Sequence, residues 1–568
     1  MAILGISDNH NSGVCLLKDE KIVFAINEES LTRDKLRGGF PYLSLKEALK
    51  CSEIYPQDIE CIVIASYMTP SFALRLIEGY HNNLRNNELS FSYLLNLYII
   101  YQVCAYKLKL PMLVEKILSR EVIRRKLLKS GLRAKVILID HHHAHAAAAY
   151  YTSGTSEKTL IFTADAMGDA LSVTVNIGKG ISLRRVFSQT GFSSISTYYS
   201  RLTEFLGFRP LRHEGKITGL AGYGKYNNEI MQLAKNNFHF IEKKKVFNFK
   251  NYIKKENTHK GIYAKLKEYP KEDVAYNFQK NLEDEIVKFA KFWIKKTNVQ
   301  KINLSGGIFA NVSLNKRISE IKIIDKLYIF PHMGDGGLSM GAALAFQKNR
   351  PRILENIYLG QQYSNEYIKD ILKNYVTDIT FSFIEEKTLC EKIAQFLFLD
   401  KTVAHFNGRM EYGPRALGNR SILYRADDIT CKEWLNKKLK RSSFMPFAPI
   451  CLREDFSEMF EADIGKIGYG LKFMNIAVNC KKKMLDTCPG TVHIDNTARP
   501  QIIDYERNPR IFTILSFYKK LKGVSVVINT SFNKHEEPIV CFPQDAIDSF
   551  LRCELDYLVL NNFLVCKK

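Results

Sequence analysis

The sequence predicts a two-domain α/β protein whose first domain is built from two halves of similar plan. Three observations lead there. Each half reads as strands and helices, with an acidic or glycine-rich turn directly after a strand. Such turns are Ala164-Asp165-Ala166-Met167-Gly168-Asp169, Ser305-Gly306-Gly307 and Gly334-Asp335-Gly336-Gly337. A polar stretch over Lys348 to Tyr363, punctuated by Pro351 and Gly360, then breaks the pattern before a second α/β unit begins. The 568 residues supply material for more than one core. The expected division is a first domain over 1–350, a linker over 351–365 and a second domain over 366–568.

The elements follow in order. Ile3 to Ser7, Gly13 to Leu17 and Lys21 to Asn27 read as a β-meander, the first two strands joined by the polar turn Asp8 to Gly13. Pro41 to Lys50 and Ser71 to Lys129 read as largely helical. Val136 to Ile139 and Leu160 to Thr163 are apolar, β-branched runs and predict strands. Asp273 to Thr297 has the apolar spacing of a long amphipathic helix. Ile302 to Leu304 is a strand, and Leu338 to Phe346 a helix of small residues. Lys235 to Lys271 is rich in lysine and asparagine with little pattern, and is read as an insertion or surface excursion. Two halves of this kind are the layout of the actin-like ATPase superfold, although no sequence repeat links them. In the second unit Glu386 to Leu397 is a helix and Thr402 to His405 a strand.

Composition narrows the class. The formal net charge of +23 points to anionic partners such as phosphate substrates, nucleic acid or an acidic membrane, or to lysines scattered over solvated faces. The 12 cysteines stand singly with no CxxC pair, which argues for a reducing cytosol and against a zinc ribbon or disulfide scaffold. Met1 to Ile6 runs straight into a strand pattern, so no signal peptide is expected and the location expected is cytoplasmic. Leu89 to Ala105 is the most apolar stretch, but at about 17 residues with Ser90, Ser92, Asn96 and Gln102 it reads better as a core helix than as a span. Basic residues follow it from Lys107 to Lys129. A core helix followed by a solvated one, or an element at a membrane surface, both fit.

The densest chemistry lies in Asp140-His141-His142-His143-Ala144-His145. On a helix His141 and His145 face the same way, a spacing that suits two neutral nitrogens on one divalent metal with room for substrate. A surface histidine cluster at a helix start has the same pattern. Asp335, opening a helix after its glycine turn, can be the third ligand or simply an N-cap. Gly306 and Gly307 before Asn311 place N–H groups at a strand-to-helix turn, where a phosphate or nucleoside is favoured. In the second unit the run from Gly408 to Ser421 sets Arg409, Arg415 and Arg420 among glycine, proline and apolar residues, as phosphate recognition needs. Lys440-Arg441, Arg499 and Asn529-Thr530-Ser531-Phe532-Asn533 add to a basic pocket.

With these residues in view the chain resembles the O-carbamoyltransferases of the nodulation and antibiotic-tailoring kind. The resemblance rests on Asn9-His10-Asn11-Ser12-Gly13, Glu28-Glu29 with Thr32-Arg33-Asp34-Lys35, Asp140-His141-His142 with His145, Glu214 to Ala221, Gly334 to Gly337, Gly408 to Ser421, Thr497-Ala498-Arg499 with Gln501, and Asn529 to Asn533. It covers nearly the full length. It implies an actin-like first domain similar to that of tRNA threonylcarbamoyl-transfer enzymes, with iron or a similar divalent metal. It implies a YrdC-like second domain that joins carbamoyl phosphate and ATP, with Mg2+, into carbamoyl adenylate with loss of pyrophosphate. The first domain would then move the carbamoyl group onto a hydroxyl of a small molecule or sugar. Carried over, His141, His145 and Asp335 are the metal ligands, with His142 as a substitute ligand or catalytic residue. His10 and Lys35 would lie near the transferred group. Gly306, Gly307 and Asn311 would hold nucleotide, and Arg409, Arg415, Lys440, Arg441, Arg499, Asn529 and Ser531 would bind ATP and carbamoyl phosphate.

A maturation factor of hydrogenase type would be expected to carry an acylphosphatase segment and CxxC zinc pairs, and neither is visible. Two other readings compete. A tRNA-modifying enzyme would explain the charge, but the single-chain fusion and the Gly408 to Ser421 run argue against nucleic acid as partner. A non-enzymatic nucleotide-binding scaffold would not need the full histidine, aspartate and arginine set.

Overall fold

A computed structural model of the chain describes residues 2–80, 91–249, 262–347, 349–440, 444–534 and 536–568, with backbone alone for 91–96. The chain divides into two compact units, Met1–Thr32 with Leu36–Leu354, and Arg33–Lys35 with Glu355–Lys568. The expected linker is therefore not a free segment. Arg352 and Leu354 donate backbone hydrogen bonds to Tyr151 and Thr152 of the first unit. From Glu355 the chain belongs to the second unit, where Ile357 and Leu359 are buried and Tyr358 bridges to Glu411. Apolar residues spaced through a polar stretch thus seat it on one unit and then the other.

The first unit holds two five-stranded sheets of identical topology. Strands β1 (Ala2–Ser7), β2 (Gly13–Lys18), β3 (Lys21–Asn27), β4 (Ile59–Ala65) and β5 (Lys135–Ile139) pair in the order β3-β2-β1-β4-β5. Strands β6 (Thr159–Gly168), β7 (Leu171–Lys179), β8 (Ser182–Thr190), β11 (Lys301–Ser305) and β12 (Lys326–Ile329) pair in the order β12-β11-β6-β7-β8. In each sheet an antiparallel meander precedes two parallel strands. This is the duplicated α/β plan that the sequence predicts. Strand β4, Ile-Glu-Cys-Ile-Val-Ile-Ala, completes the first sheet and escapes a search for alternation, because it is buried on both faces.

Two helices lie between the sheets. Helix α1 (His141–Tyr151) follows β5, and helix α3 (Leu338–Gln347) follows β12, with the long α2 (Lys271–Thr297) between them in sequence. The contact of α1 with α3 is made of small residues. A Cβ on Gly341 would lie 2.0 Å from the Ala144 carbonyl oxygen, and one on Gly5 of β1 would lie 2.0 Å from that of Ser339. Ala144, Ala147, Ala148, Ala342 and Ala343 are buried around this crossing.

The described residues of 235–271 carry regular structure. Helix Asn228–Asn237 leads into the hairpin β9 (Phe238–Ile241) and β10 (Val246–Phe249). Phe238 stacks on Tyr198 and on Phe247, so the aromatic residues among the lysines are core residues. Residues 250–261 of that segment lie outside the described set. The helical stretch predicted over 71–129 contains helices Phe72–Leu76, Phe91–Leu108 and Leu110–Lys129, with 81–90 outside the described residues. Among the described residues no single helix is long and apolar enough to cross a membrane. The last two of these helices meet that length and composition only as a pair, bent by 109°.

The second unit is a mixed sheet of β13 (Ile379–Phe383), β14 (Val403–Phe406), β15 (Arg420–Arg425), β16 (Ala448–Leu452), β20 (Gln501–Ile503), β21 (Val527–Ser531), β22 (Tyr557–Leu560) and β23 (Phe563–Lys567). Their order is β13-β23-β22-β14-β15-β21-β16-β20. A small sheet of β17 (Phe460–Glu461), β18 (Val478–Cys480) and β19 (Thr497–Ala498) accompanies it. Helices Glu386–Phe398 and Pro509–Lys522 pack Leu389, Ile393, Leu397, Ile514 and Leu515 onto the large sheet.

A buried acid lies on α2. Glu283 of α2 accepts a hydrogen bond from Gln279 at 2.7 Å, and its carboxyl is 3.8 Å from Arg317. Burial nonetheless pushes it up to about 7, the hydrogen bond and the nearby cations opposing. A folded-state value above the unfolded one means that the folded protein holds the proton more tightly. The contribution is complete below the ordinary glutamate range and is lost as pH rises to about 7. Glu283→Gln should therefore stabilise the protein at pH 8 by on the order of 2 kcal/mol in denaturant melts, the gap closing toward pH 5. A gap independent of pH would show that Glu283 is ionised throughout.

Candidate active site

The first turn of α1 is held from two sides. Asp140 caps it by accepting a hydrogen bond from the His143 N–H at 2.7 Å, and Arg185 pairs with the same carboxylate. Asp169, in the turn after β6, accepts from the His141 N–H at 2.9 Å. Asp169 also accepts from Ser66 Oγ and from the N–H groups of Tyr67 and Met68, just beyond β4. The start of α1 is thus tied to the C-terminal ends of strands in both sheets.

His141 and His145 then project to one side, one helical turn apart. His145 Nδ1 lies 3.2 Å from Ser305 Oγ, which itself donates to the Met333 carbonyl at 3.3 Å. The other ring nitrogen, Nε2, is turned toward the two carboxylates. That nitrogen lies 3.1 Å from Asp165 Oδ2 and 3.5 Å from Asp335 Oδ1. His141 Nε2 lies 3.6 Å from Asp335 Oδ1 and 3.9 Å from Asp165 Oδ2. The turn carrying Asp335 is fixed by β3, where Asn27 donates to the Gly336 carbonyl at 3.1 Å and its Oδ1 lies 2.8 Å from His332 Nε2. Asn9, in the β1–β2 turn, donates to Asp335 Oδ2 at 2.9 Å.

Donor atoms of His141, His145, Asp165 and Asp335 all lie within 4.8 Å of one another. Neither ring nitrogen of His141 has a hydrogen-bond partner, nor has Asp335 Oδ1, and all are buried. Lone pairs of two carboxylates and two imidazoles facing one another out of water need positive charge among them. The electrostatics register that demand. Burial opposes charge on His141, yet Asp335 and Asp165 lift it to about 9. Burial also raises Asp335, with Asp165 adding to the rise and the two histidines opposing it, whereas the histidines overcome burial at Asp165 and hold it well below its ordinary value. Two imidazoles and two carboxylates are a donor set for a divalent first-row metal, and these four residues fit one.

The other expected residues fall differently. His142 has both nitrogens engaged, Nδ1 at 2.7 Å from Thr163 Oγ1 and Nε2 at 3.0 Å from the Leu171 carbonyl. Burial and the neighbouring His141 hold it down at about 3, so it is a neutral strut between α1 and the second sheet rather than a substitute ligand. Asn311 is likewise used up. Its Oδ1 accepts from the Leu314 N–H at 3.0 Å, and its amide pairs with that of Gln279. The Gly306 N–H donates to Met333, and the Gly307 N–H points at Asp165 Oδ2 from 3.4 Å. His10 sits in the same turn as Asn9, and Lys35 is grouped with the second unit. The sequence marks Asp165 only as part of an acidic turn after a strand. Its place in the cluster comes from a break in the β6–β7 register between Ala164 and Gly168, which re-aims it.

In the second unit, three of the expected segments converge at one end of the central strands. Ser421 of β15 pairs with Ser531 of β21. Asn529 donates to the Ala416 carbonyl at 3.2 Å and to Gln501 Oε1 at 2.7 Å, while Gln501 donates to the Leu417 carbonyl at 2.9 Å. Asn529 Oδ1 is buried without a hydrogen-bond partner. The Gly408 to Ser421 loop is organised by Glu411, whose Oε1 accepts from the N–H groups of Leu417, Asn419 and Arg420. Arg420 is fully buried and bonds four backbone carbonyls, among them those of Asn407 and Gly408, so it braces the loop. Arg409 donates to the Gly360 and Leu359 carbonyls. Arg415 and Arg499 are partly exposed and Lys440 is exposed, while Arg441 lies outside the described residues.

The model of the carbamoyltransferase N-terminus matches residues 2–344, and that of the carbamoyltransferase C-terminus matches 394–567. The chain belongs to the carbamoyltransferase family. It is 34% identical to an uncharacterized protein of Methanocaldococcus jannaschii over 98% of each chain. Nodulation protein NolNO of Sinorhizobium fredii is 27% identical over 98% of this chain and 79% of its own. Nodulation protein NolO of Bradyrhizobium diazoefficiens is 30% identical over 76% of this chain and 79% of its own. Among solved structures, full-length HypF in its phosphate- and nucleotide-bound form is 13% identical with a TM-score of 0.33, covering 61% of this chain and 46% of its own. This carbamoyltransferase is an enzyme that moves a carbamoyl group from a donor to an acceptor.

Its first-unit cluster makes a test of metal binding direct. Purified His141→Ala, Asp165→Asn and Asp335→Ala proteins should each lose metal affinity by about tenfold or more, read by elemental analysis after dialysis against a weak chelator. Full metal content in all three would remove the cluster as the binding site.

Proposed function

We propose that the carbamoyltransferase is an ATP-dependent O-carbamoyltransferase that works in two steps, one in each unit. The observation that carries this is the cluster of two buried imidazoles and two half-buried carboxylates in the first unit, in a chain whose second unit gathers separate arginine-, asparagine- and serine-bearing segments at one sheet end.

The second unit is read as the YrdC-like, adenylate-forming one. Carbamoyl phosphate loses phosphate to water and leaves carbamate. A carbamate oxygen attacks the α-phosphorus of ATP, the bond to the bridging oxygen of the β-phosphate breaks, and pyrophosphate departs with its Mg2+. Arg415 and Arg499 bind the phosphates, a role suited to planar guanidinium groups. Asn529 presents its unpartnered Oδ1 to a donor on the substrate. Arg409 and Arg420 hold the loop that shapes the pocket.

Adenylation matters because the nitrogen of a carbamoyl group donates into its carbonyl and makes it a poor electrophile. Adenylate is a good leaving group and restores reactivity. In the first unit the acceptor hydroxyl oxygen attacks the carbamoyl carbon, the bond to the adenylate oxygen breaks, and AMP leaves. His10, next to Asn9 in the chain, would take up the hydroxyl proton. A divalent cation held by His141, His145, Asp165 and Asp335, with iron the expected metal, would act as a Lewis acid toward the oxygens of this step. Asn9 holds the outer oxygen of Asp335, and Ser305 orients the His145 ring. The glycines at 306 and 307 let the nucleotide approach the same turn. The acceptor is a hydroxyl-bearing small molecule or sugar.

The two steps can be separated. Arg499→Ala should abolish pyrophosphate release from ATP and carbamoyl phosphate. His141→Ala should keep that release and lose transfer, followed by mass spectrometry as the gain of one carbamoyl group on an acceptor. Equal loss of pyrophosphate release in both variants would show that one site performs both steps. Transfer that ribonuclease treatment of the acceptor pool abolishes would make tRNA the acceptor.

A further inference from the structure

The helix pair Phe91–Leu108 and Leu110–Lys129 is apolar on the side that faces away from the protein. On the first helix Leu97, Ile100, Tyr101, Cys104 and Leu108 are exposed at helical spacing. On the second, Leu110, Leu113, Val114, Ile117 and Leu118 form a matching exposed stripe. Leu108 and Leu110, at the bend, are each 68% exposed. The opposite faces carry the anchorage. Ile99, Val103 and Ala105 pack on Met68 and Ala170, and Ile123 and Leu127 are buried. A core helix followed by a solvated one would show neither exposed stripe.

Charge selects the occupant. Lys107 and Lys109 flank the bend between the two exposed leucines, and Arg120 and Lys129 are exposed further along. The acidic residues of the two described helices are Glu115, which is buried and receives the Tyr101 hydroxyl, and Glu121, which pairs with Arg124 and Arg125. A second copy would bring an equally basic face against this one, in a chain of formal charge +23. A bend of 109° also rules out a straight span by the pair. Apolar stripes bordered by lysines whose stems can lie along them are instead the make-up of an element resting in a lipid interface.

We propose that this helix pair seats on an anionic lipid surface, with its leucine and isoleucine stripes at the acyl boundary and Lys107, Lys109 and Arg120 at headgroup level. The full-length enzyme should sediment with vesicles of mixed phosphatidylglycerol and phosphatidylcholine at physiological salt, and much less with phosphatidylcholine alone. A Leu113→Ser, Ile117→Ser double variant keeps every charge, yet its partition onto the anionic vesicles should fall by about tenfold or more. Lys107→Gln with Lys109→Gln should weaken binding to the anionic vesicles alone. Unchanged melting temperature and pyrophosphate release would confirm that these exposed substitutions leave the fold intact. Equal binding by the double serine variant would reduce the effect to bulk charge and overturn the proposal, as would failure of the native protein to bind. A dimer in light scattering that the double serine variant loses would assign the face to a second copy and overturn it too.

Discussion

The first unit depends on how closely α1 and α3 approach. Gly341 meets the Ala144 backbone where any side chain would collide, and Gly5 of β1 meets the Ser339 backbone in the same way. A methyl group at either glycine would have to force apart backbone, which cannot rotate away as a side chain can. The closeness brings the helix bearing His141 and His145 against the helix that Asp335 opens. One helix follows the last strand of the first sheet and the other follows the last strand of the second. The cluster is therefore shared by the two halves and assembled by their packing.

That sharing follows from the duplicated topology. Ligands bind outside the carboxyl ends of strands in open parallel sheets, and every group at this site comes from such an end. Asn9 follows β1, His141 follows β5, Asp165 lies at the register break near the end of β6, Ser305 closes β11 and Asp335 follows β12. Asp169 adds the end of β4 through Ser66, Tyr67 and Met68. Gly168 lets this happen, because a Cβ there would lie 2.1 Å from the His141 ring. Two buried imidazoles and two half-buried carboxylates are held together by hydrogen bonds from neighbours that have no part in the cluster.

Much of this was legible in the amino-acid order. The i, i+4 histidines, the glycine turn around Asp335 and the strand before each turn are local patterns, and local patterns survive in sequence. What was not legible depended on contacts between distant segments. His142 looks the same as its neighbours, yet a helix turns it away toward Thr163 and Leu171. Asn311 has the look of a nucleotide ligand, but Gln279, far away in the chain, consumes its amide. Asp165 owes its direction to a break in strand register that no spacing rule reveals. The phenylalanines of 238–249 were hidden by the lysines around them, because composition averages over the two faces that a hairpin separates. The same averaging hid the exposed stripes of 97–118, where hydrophobicity alone reads as core.

The bent helix pair is also tied to the cluster by hydrogen bonds. Gln102, on the buried face of its first helix, accepts from the Ala170 N–H at 3.0 Å and donates to the Met68 carbonyl at 3.0 Å. Thr69 Oγ1, which receives the Asp169 N–H, lies against the same glutamine. Asp169 in turn holds the His141 N–H. Three short steps of buried hydrogen bonding thus connect the helix with the exposed apolar stripe to the first residue of the cluster. Each step runs through the backbone or a buried amide, so the helix has little freedom to swing relative to α1. A surface that seated the helix pair would therefore fix the orientation of the cluster above it. For an acceptor dissolved in water that orientation is worth nothing. For a hydroxyl carried on a lipid it would replace a search in three dimensions by one in two, with the reactive oxygen arriving from a constant direction.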